Sequence, residues 1–94
     1  MDQAKGQEMK KEHALAHAET LITGVRNTNY GPPEENFRRI AAGWSVIFGA
    51  PVTPRQVVLA MDWVKTARLV HSPDHEDSWI DKIGYSAIGA ELEV

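Results

Sequence analysis

The stretch TPRQVVLAMDWVKTARLV, residues 53–70, decides the fold. Thr53 offers a hydroxyl to the free amides of a helix start. Pro54 presets the first-turn φ and needs no amide of its own. Val57, Val58, Met61, Val64 and Leu69 then recur at intervals that keep them on one buried face. Ser72-Pro73 ends the segment, because a proline disfavours α geometry in the residue before it. The reading is a helix from Pro54 to about Val70.

The flanking chain has the same period. From Pro33 to about Phe48, a stripe of Phe37, Ile40, Ala41, Trp44 and Phe48 follows a proline start and the acids Glu34 and Glu35, which suit a helix N-terminus. Gly49-Ala50-Pro51 stops it. An earlier segment, about Gln7 to Arg26, carries Leu15, Ala18, Leu21, Ile22 and Val25. Its beginning is polar through Glu12 except for Met9, so it is expected to fray or project, and Asn27–Pro33 breaks it. A last segment, about Glu76 to Leu92, presents Ile80, Ile83, Ala87 and Ile88. Gly84 and Gly89 lower its helix propensity by about 1 kcal/mol each relative to alanine, or else mark a close approach of two helices. No stretch alternates with period two. The expectation is an all-α, four-helix bundle, one domain over residues 1–94, completed by association with further copies because a chain this short buries only roughly 60% of its unfolded surface.

Composition narrows the functions. There is no cysteine, which removes disulfides, thiol chemistry and Cys-based zinc sites and fits a reducing cytosol. The formal charge of −3 argues against a general binder of DNA or RNA backbones but leaves room for a small anion held by a few converging cations. The apolar runs are too short to span a bilayer, and the first residues show no apolar leader. There is no P-loop, no Gly-x-Gly-x-x-Gly and no Gly-x-Ser-x-Gly elbow.

The chemically loaded region is Lys65–Tyr85. Stepping back along the last helix from Ile88 by threes and fours gives Tyr85 and Gly84, then Asp81, then Asp77, so both aspartates prolong an inward face. Two carboxylates one turn apart repel unless a cation sits between them, either a protein Lys or Arg or a magnesium ion. The plainer alternative has Asp77 capping the helix and Asp81 solvated or salt-bridged. Lys65 borders the buried face of the preceding helix, with Arg68 three residues on. Together they would grip a phosphate or the aspartates, or else snorkel. His71 and His75 flank the turn, as proton-transfer groups, phosphate contacts or exposed turn residues. Glu34 continues the second stripe as a third inward acid or serves the helix dipole. Tyr30, Asn36, Trp44, Trp63 and Trp79 offer surface for a base, or in the case of the rings belong to the core. His13 and His17 have metal-ligand spacing but no glutamate between them to act as a base.

Several motifs carry a resemblance: Tyr30-Gly31-Pro32-Pro33-Glu34-Glu35-Asn36-Phe37, Val52-Thr53-Pro54, Lys65-Thr66-Ala67-Arg68-Leu69, and Asp77-Ser78-Trp79 followed by Asp81, Gly84 and Tyr85. The run from Tyr30 to Glu91 resembles a family of small bacteriophage and prophage proteins. More distantly it is similar to the phage nucleotide-modification-associated domains and, through them, to the MazG-like all-α nucleoside triphosphate pyrophosphohydrolases. That likeness implies helical subunits that pair into dimers or larger oligomers, a nucleotide cleft lined by acids holding Mg2+, and a place in the bacterial host cytoplasm. The chain departs from the enzymes: Arg38 stands where a second acid would follow Glu34-Glu35, and the fourth helix carries only Asp77 and Asp81.

Three functions follow as expectations. The first is nucleotide binding without strong catalysis, by Tyr30, Asn36, Lys65, Arg68, His71, His75, Asp77 and Asp81. Such a protein would sequester a host defence signal of the cyclic dinucleotide or ADP-ribose type. The second is a Mg2+-dependent pyrophosphohydrolase with the metal on Glu34, Asp77 and Asp81. The third is an interaction module whose polar cluster is an interhelical or intersubunit salt-bridge network.

Overall fold

A computed structural model describes residues 9–24 and 31–93. Within them lie four helices and no strand: α1 (Lys11–Ile22), α2 (Pro33–Phe48), α3 (Pro54–His71) and α4 (Glu76–Glu91). The all-α expectation holds. No helix among the described residues is long and apolar enough to cross a membrane.

The helix ends follow local chemistry. The Thr53 hydroxyl accepts from the Gln56 amide at 3.1 Å while the Gln56 side chain accepts from the Thr53 amide at 2.9 Å, a reciprocal cap. Gly49 closes α2 in the left-handed region, φ 69°, and its amide reaches the Ser45 carbonyl. The Ser45 hydroxyl donates to the Ala41 carbonyl and accepts from the Val52 amide, each at 2.8 Å, which ties the end of α2 to the approach of α3. At the start of α4 the N-cap is His75, not Asp77, which lies in the first turn. α1 starts at Lys11, so Lys11 and Glu12 are helical, whereas Gln7 and Val25–Tyr30 fall outside the described residues.

The core gathers Phe37 and Ala41 of α2, Val57 and Val58 of α3, and Ile88 and Leu92 at the end of α4. α4 is central: α3 packs along one side and α1 along another, while α2 rests on α3. Both glycines of α4 mark close approaches. A Cβ on Gly84 would lie 3.1 Å from Ile22 Cγ2 of α1, and one on Gly89 would lie 3.2 Å from Val58 Cγ1 of α3. Arg55 fixes the far end of α4, its Nε donating to the Gly89 carbonyl at 2.9 Å.

Four residues expected in the core are exposed: Leu15, Phe48, Val64 and Ala87. Leu15 and Val64 stand at the margin of their apolar stripes, and Phe48 is the last residue of α2, beyond the part that α3 covers.

Candidate functional site

A cleft of about 710 Å³ opens between α1, α2 and α4. Its apolar floor is built by Ala18 and Ile22 of α1, Phe37 of α2, and Ile80 and Ile88 of α4. The bare backbone of Gly84 belongs to the same wall, where α1 crosses α4 closely. Around this floor stand His17, Asn36, Asp77, Asp81 and Tyr85. The Tyr85 and Phe37 rings meet edge to face with centroids 6.1 Å apart, which fixes the phenol between α2 and α4.

The sequence placed Asn36, Asp77 and Asp81 in one site, and they line one cleft. Lys65 does not line it: its Nζ is 2.9 Å from Asp81 Oδ2, so the cation beside Asp81 is a protein lysine from α3. Asp77 is exposed and has no ion-pair partner among the described residues. Arg68 is exposed and likewise unpaired among them, and its charge acts on the Tyr85 hydroxyl.

Burial pushes the Tyr85 phenol above its ordinary range, the nearby Lys65 pulls it down, and Asp81 pushes it up again. Tyr85 is therefore a neutral hydroxyl donor at physiological pH.

The other expected residues lie elsewhere. His71 is the exposed last residue of α3. His75 does not face the cleft; its Nδ1 is 2.8 Å from the Oγ of the fully buried Ser78, so it secures the turn into α4. Glu34 is half-buried in the first turn of α2 and shares a hydrogen bond with Glu91, which raises the Glu91 carboxyl above the ordinary glutamate range. Two of the three acids expected around Mg2+ therefore reach the cleft and the third does not. Among the described residues no three His, Asp or Glu side chains converge on one point. Tyr30 lies outside the described residues. Of the tryptophans, Trp44 packs against the core, while Trp63 and Trp79 are exposed. The Trp79 indole donates to the Pro73 carbonyl at 2.9 Å, holding the turn before α4.

Two features escaped the sequence reading. His17 joins the cleft without His13, because the crossing at Gly84 turns the end of α1 towards it. Beside the Lys65–Asp81 pair, Lys82 Nζ bonds both oxygens of Asp62, at 2.9 and 3.0 Å, and the Thr66 hydroxyl. The sign reverses between the neighbouring pairs: acid on α3 to base on α4, then base on α3 to acid on α4.

A family model described as "Domain of unknown function (DUF6378)" matches residues 13–93. The chain belongs to this family. The match begins within α1, so it takes in the helix that the motifs from Tyr30 onwards leave out. Relatives come from phages. The chain is 33% identical over 81 residues to the Gene 55 protein of Mycobacterium phage L5, covering 85% of this chain and 52% of that one. To the Gene 55 protein of Mycobacterium phage D29 it is 39% identical over 75 residues, covering 80% and 50%. The chain thus spans about half the length of the curated relatives it matches. No solved structure matches it.

Proposed function

We propose that the α1–α2–α4 cleft binds a small nucleotide, and that this family member acts as a phage nucleotide-binding protein in the host cytoplasm. The observation that carries the reading is the meeting of Asn36, Asp77 and Tyr85 over an apolar floor in a cleft of about 710 Å³, a size within the usual range for small-molecule sites. The chemistry suits a base. Asn36 supplies a donor and an acceptor, the unpaired Asp77 carboxylate accepts from ring or exocyclic N–H groups, and Phe37 and Tyr85 give an aromatic wall. For phosphate, His17 lines the cleft with an imidazole and the unpaired Arg68 guanidinium acts on the Tyr85 hydroxyl that lines it, whereas Lys65 is engaged by Asp81. The distant resemblance to nucleotide-modification and MazG-like domains, read in the motifs from Tyr30 onwards, would imply the same ligand class. With one aspartate neutralised by Lys65 and Glu34 turned to Glu91, binding is favoured over hydrolysis. A phage protein of this kind would serve to sequester a host defence nucleotide of the cyclic dinucleotide or ADP-ribose type.

Thermal shift against nucleoside triphosphates, cyclic dinucleotides and ADP-ribose, with and without Mg2+, tests the reading. The expected result is stabilisation by at least one nucleotide, its loss in Asp77→Ala, and release of the intact nucleotide on denaturation. Recovery of pyrophosphate and a monophosphate would replace binding by hydrolysis.

The mutual satisfaction of Lys65 and Asp81 favours a second reading, an interaction module whose polar cluster is structural. The readings part at Asp77, which has no such structural partner. No shift with any nucleotide, together with an unaltered Asp77→Ala variant, would select the module.

A further inference from the structure

One side of α3, bordering the groove that Leu59 shares with α4, is apolar and exposed. Leu59, Trp63 and Val70 are 68, 70 and 82% exposed, and they recur at the four- and seven-residue steps that align on one helix face. Ala60 and Ala67 fill the gaps between them, and Val64 borders the row. The charges of the same interval lie off this row: Asp62 and Lys65 are ion-paired to α4, and Arg68 lies on another side of the helix. A solvated helix face normally carries charge, and this one carries none over about 16 Å of helix.

We infer that α3 is a homodimer interface, in which two copies of the chain pack their α3 helices antiparallel about a two-fold axis near residues 64 and 65. The pattern is self-complementary in that register. Leu59 faces the partner's Val70, and Trp63 faces the partner's Ala67, so the largest side chain meets the smallest and the same contacts repeat across the axis. Antiparallel packing also sets the helix dipoles head to tail. The exposed parts of the row amount to on the order of 500 Å² per protomer, which brings the pair of faces to roughly the 1,000 Å² that separates specific interfaces from incidental contacts. The absence of charge suits a second copy better than a charged partner, because neither face leaves a buried ion without a counterion. The inference is independent of the cleft reading, since the row and the cleft share no residue.

The full chain provides the test. Sedimentation velocity and native mass spectrometry should give twice the chain mass for the wild type and a single chain for Trp63→Glu, with the helical circular dichroism of the two unchanged. Register is read by disulfide trapping, which is clean because the chain has no cysteine of its own. Mixed Leu59→Cys and Val70→Cys single variants should cross-link to each other, and Leu59→Cys alone should not cross-link to itself. A monomeric wild type, or a dimer that survives Trp63→Glu, overturns the interface. Self-cross-linking of Leu59→Cys overturns the antiparallel arrangement. Nucleotide-induced thermal shifts, read separately, report on the cleft alone.

Discussion

Lys65 Nζ stands 2.9 Å from Asp81 Oδ2, one turn of α3 along from the place where Asp62 holds Lys82 of α4. The Lys65 side chain is 14% exposed, so this pair is screened by water less than an ordinary surface bridge. Alternation of sign makes the register specific: sliding α4 by one turn would bring like charges together. Lys65→Ala is expected to cost about 1–2 kcal/mol, between the values for exposed and buried pairs. In a double-mutant cycle by urea unfolding, Lys65→Ala and Asp81→Ala should couple by about 1 kcal/mol. Strict additivity would mean that the contact contributes no specific energy.

The two glycines of α4 should respond differently to alanine. At Gly84 the new Cβ meets the β-branch methyl of Ile22, which is only half-buried and lies in the last turn of α1, a helix with one fully buried residue that can shift by a few tenths of an ångström. At Gly89 it meets Val58, a β-branched and fully packed core residue. Gly84→Ala should therefore be neutral or stabilising by up to about 1 kcal/mol through helix propensity, and Gly89→Ala destabilising by about 1 kcal/mol. Chemical denaturation of both variants decides it, and the reverse order would refute the packing argument.

Thr53→Ala removes one half of the reciprocal cap with Gln56. The expected loss is about 1 kcal/mol, with Thr53→Ser close to the wild type because the hydroxyl is retained. Thermal melts of the two variants measure the difference.

Glu91 gives a pH dependence whose sign can be worked out. Its hydrogen bond with Glu34, followed by the repulsion of Glu34's charge, raises its folded pKa above the unfolded value. A raised carboxyl contributes stability that is complete at low pH and is lost as pH rises through the folded value. Glu91→Gln keeps a donor towards Glu34 without a charge. It should melt above the wild type at neutral pH, and the gap should close as pH falls to about 4. A gap that does not vary with pH would contradict the shared bond.

Some of this was legible in the sequence and some was not. Starts and stops at Pro33, Gly49 and Thr53-Pro54 could be read because capping and proline sterics act within a few residues. The approach of Lys65 to Asp81 could be read because both border apolar stripes that must face inward. The bond from Lys82 to Asp62 could not, because only the relative register of two helices brings them together. Periodicity also put Val64 and Phe48 inside. A stripe shows which face is apolar but not how much of it a neighbour covers, and α3 is apolar on two sides. The cleft was half visible for the same reason: Asp77 and Asp81 follow from helix geometry, but His17 enters it only through the crossing of α1 at Gly84.

That crossing has a consequence for how the molecule opens. α1 buries only Ala18 fully and has no side-chain cap at its start, and it docks chiefly on α4. The last turn of α4, by contrast, is held by Arg55 at the Gly89 carbonyl and by fully buried Leu92. Amide hydrogens of α1 should therefore exchange with solvent well before those of α4, as a separate local unfolding step. Because α1 is also one wall of the cleft, that step widens the cavity while the α2–α3–α4 core stays intact. A bound ligand that touches α1 would slow exchange in this helix first.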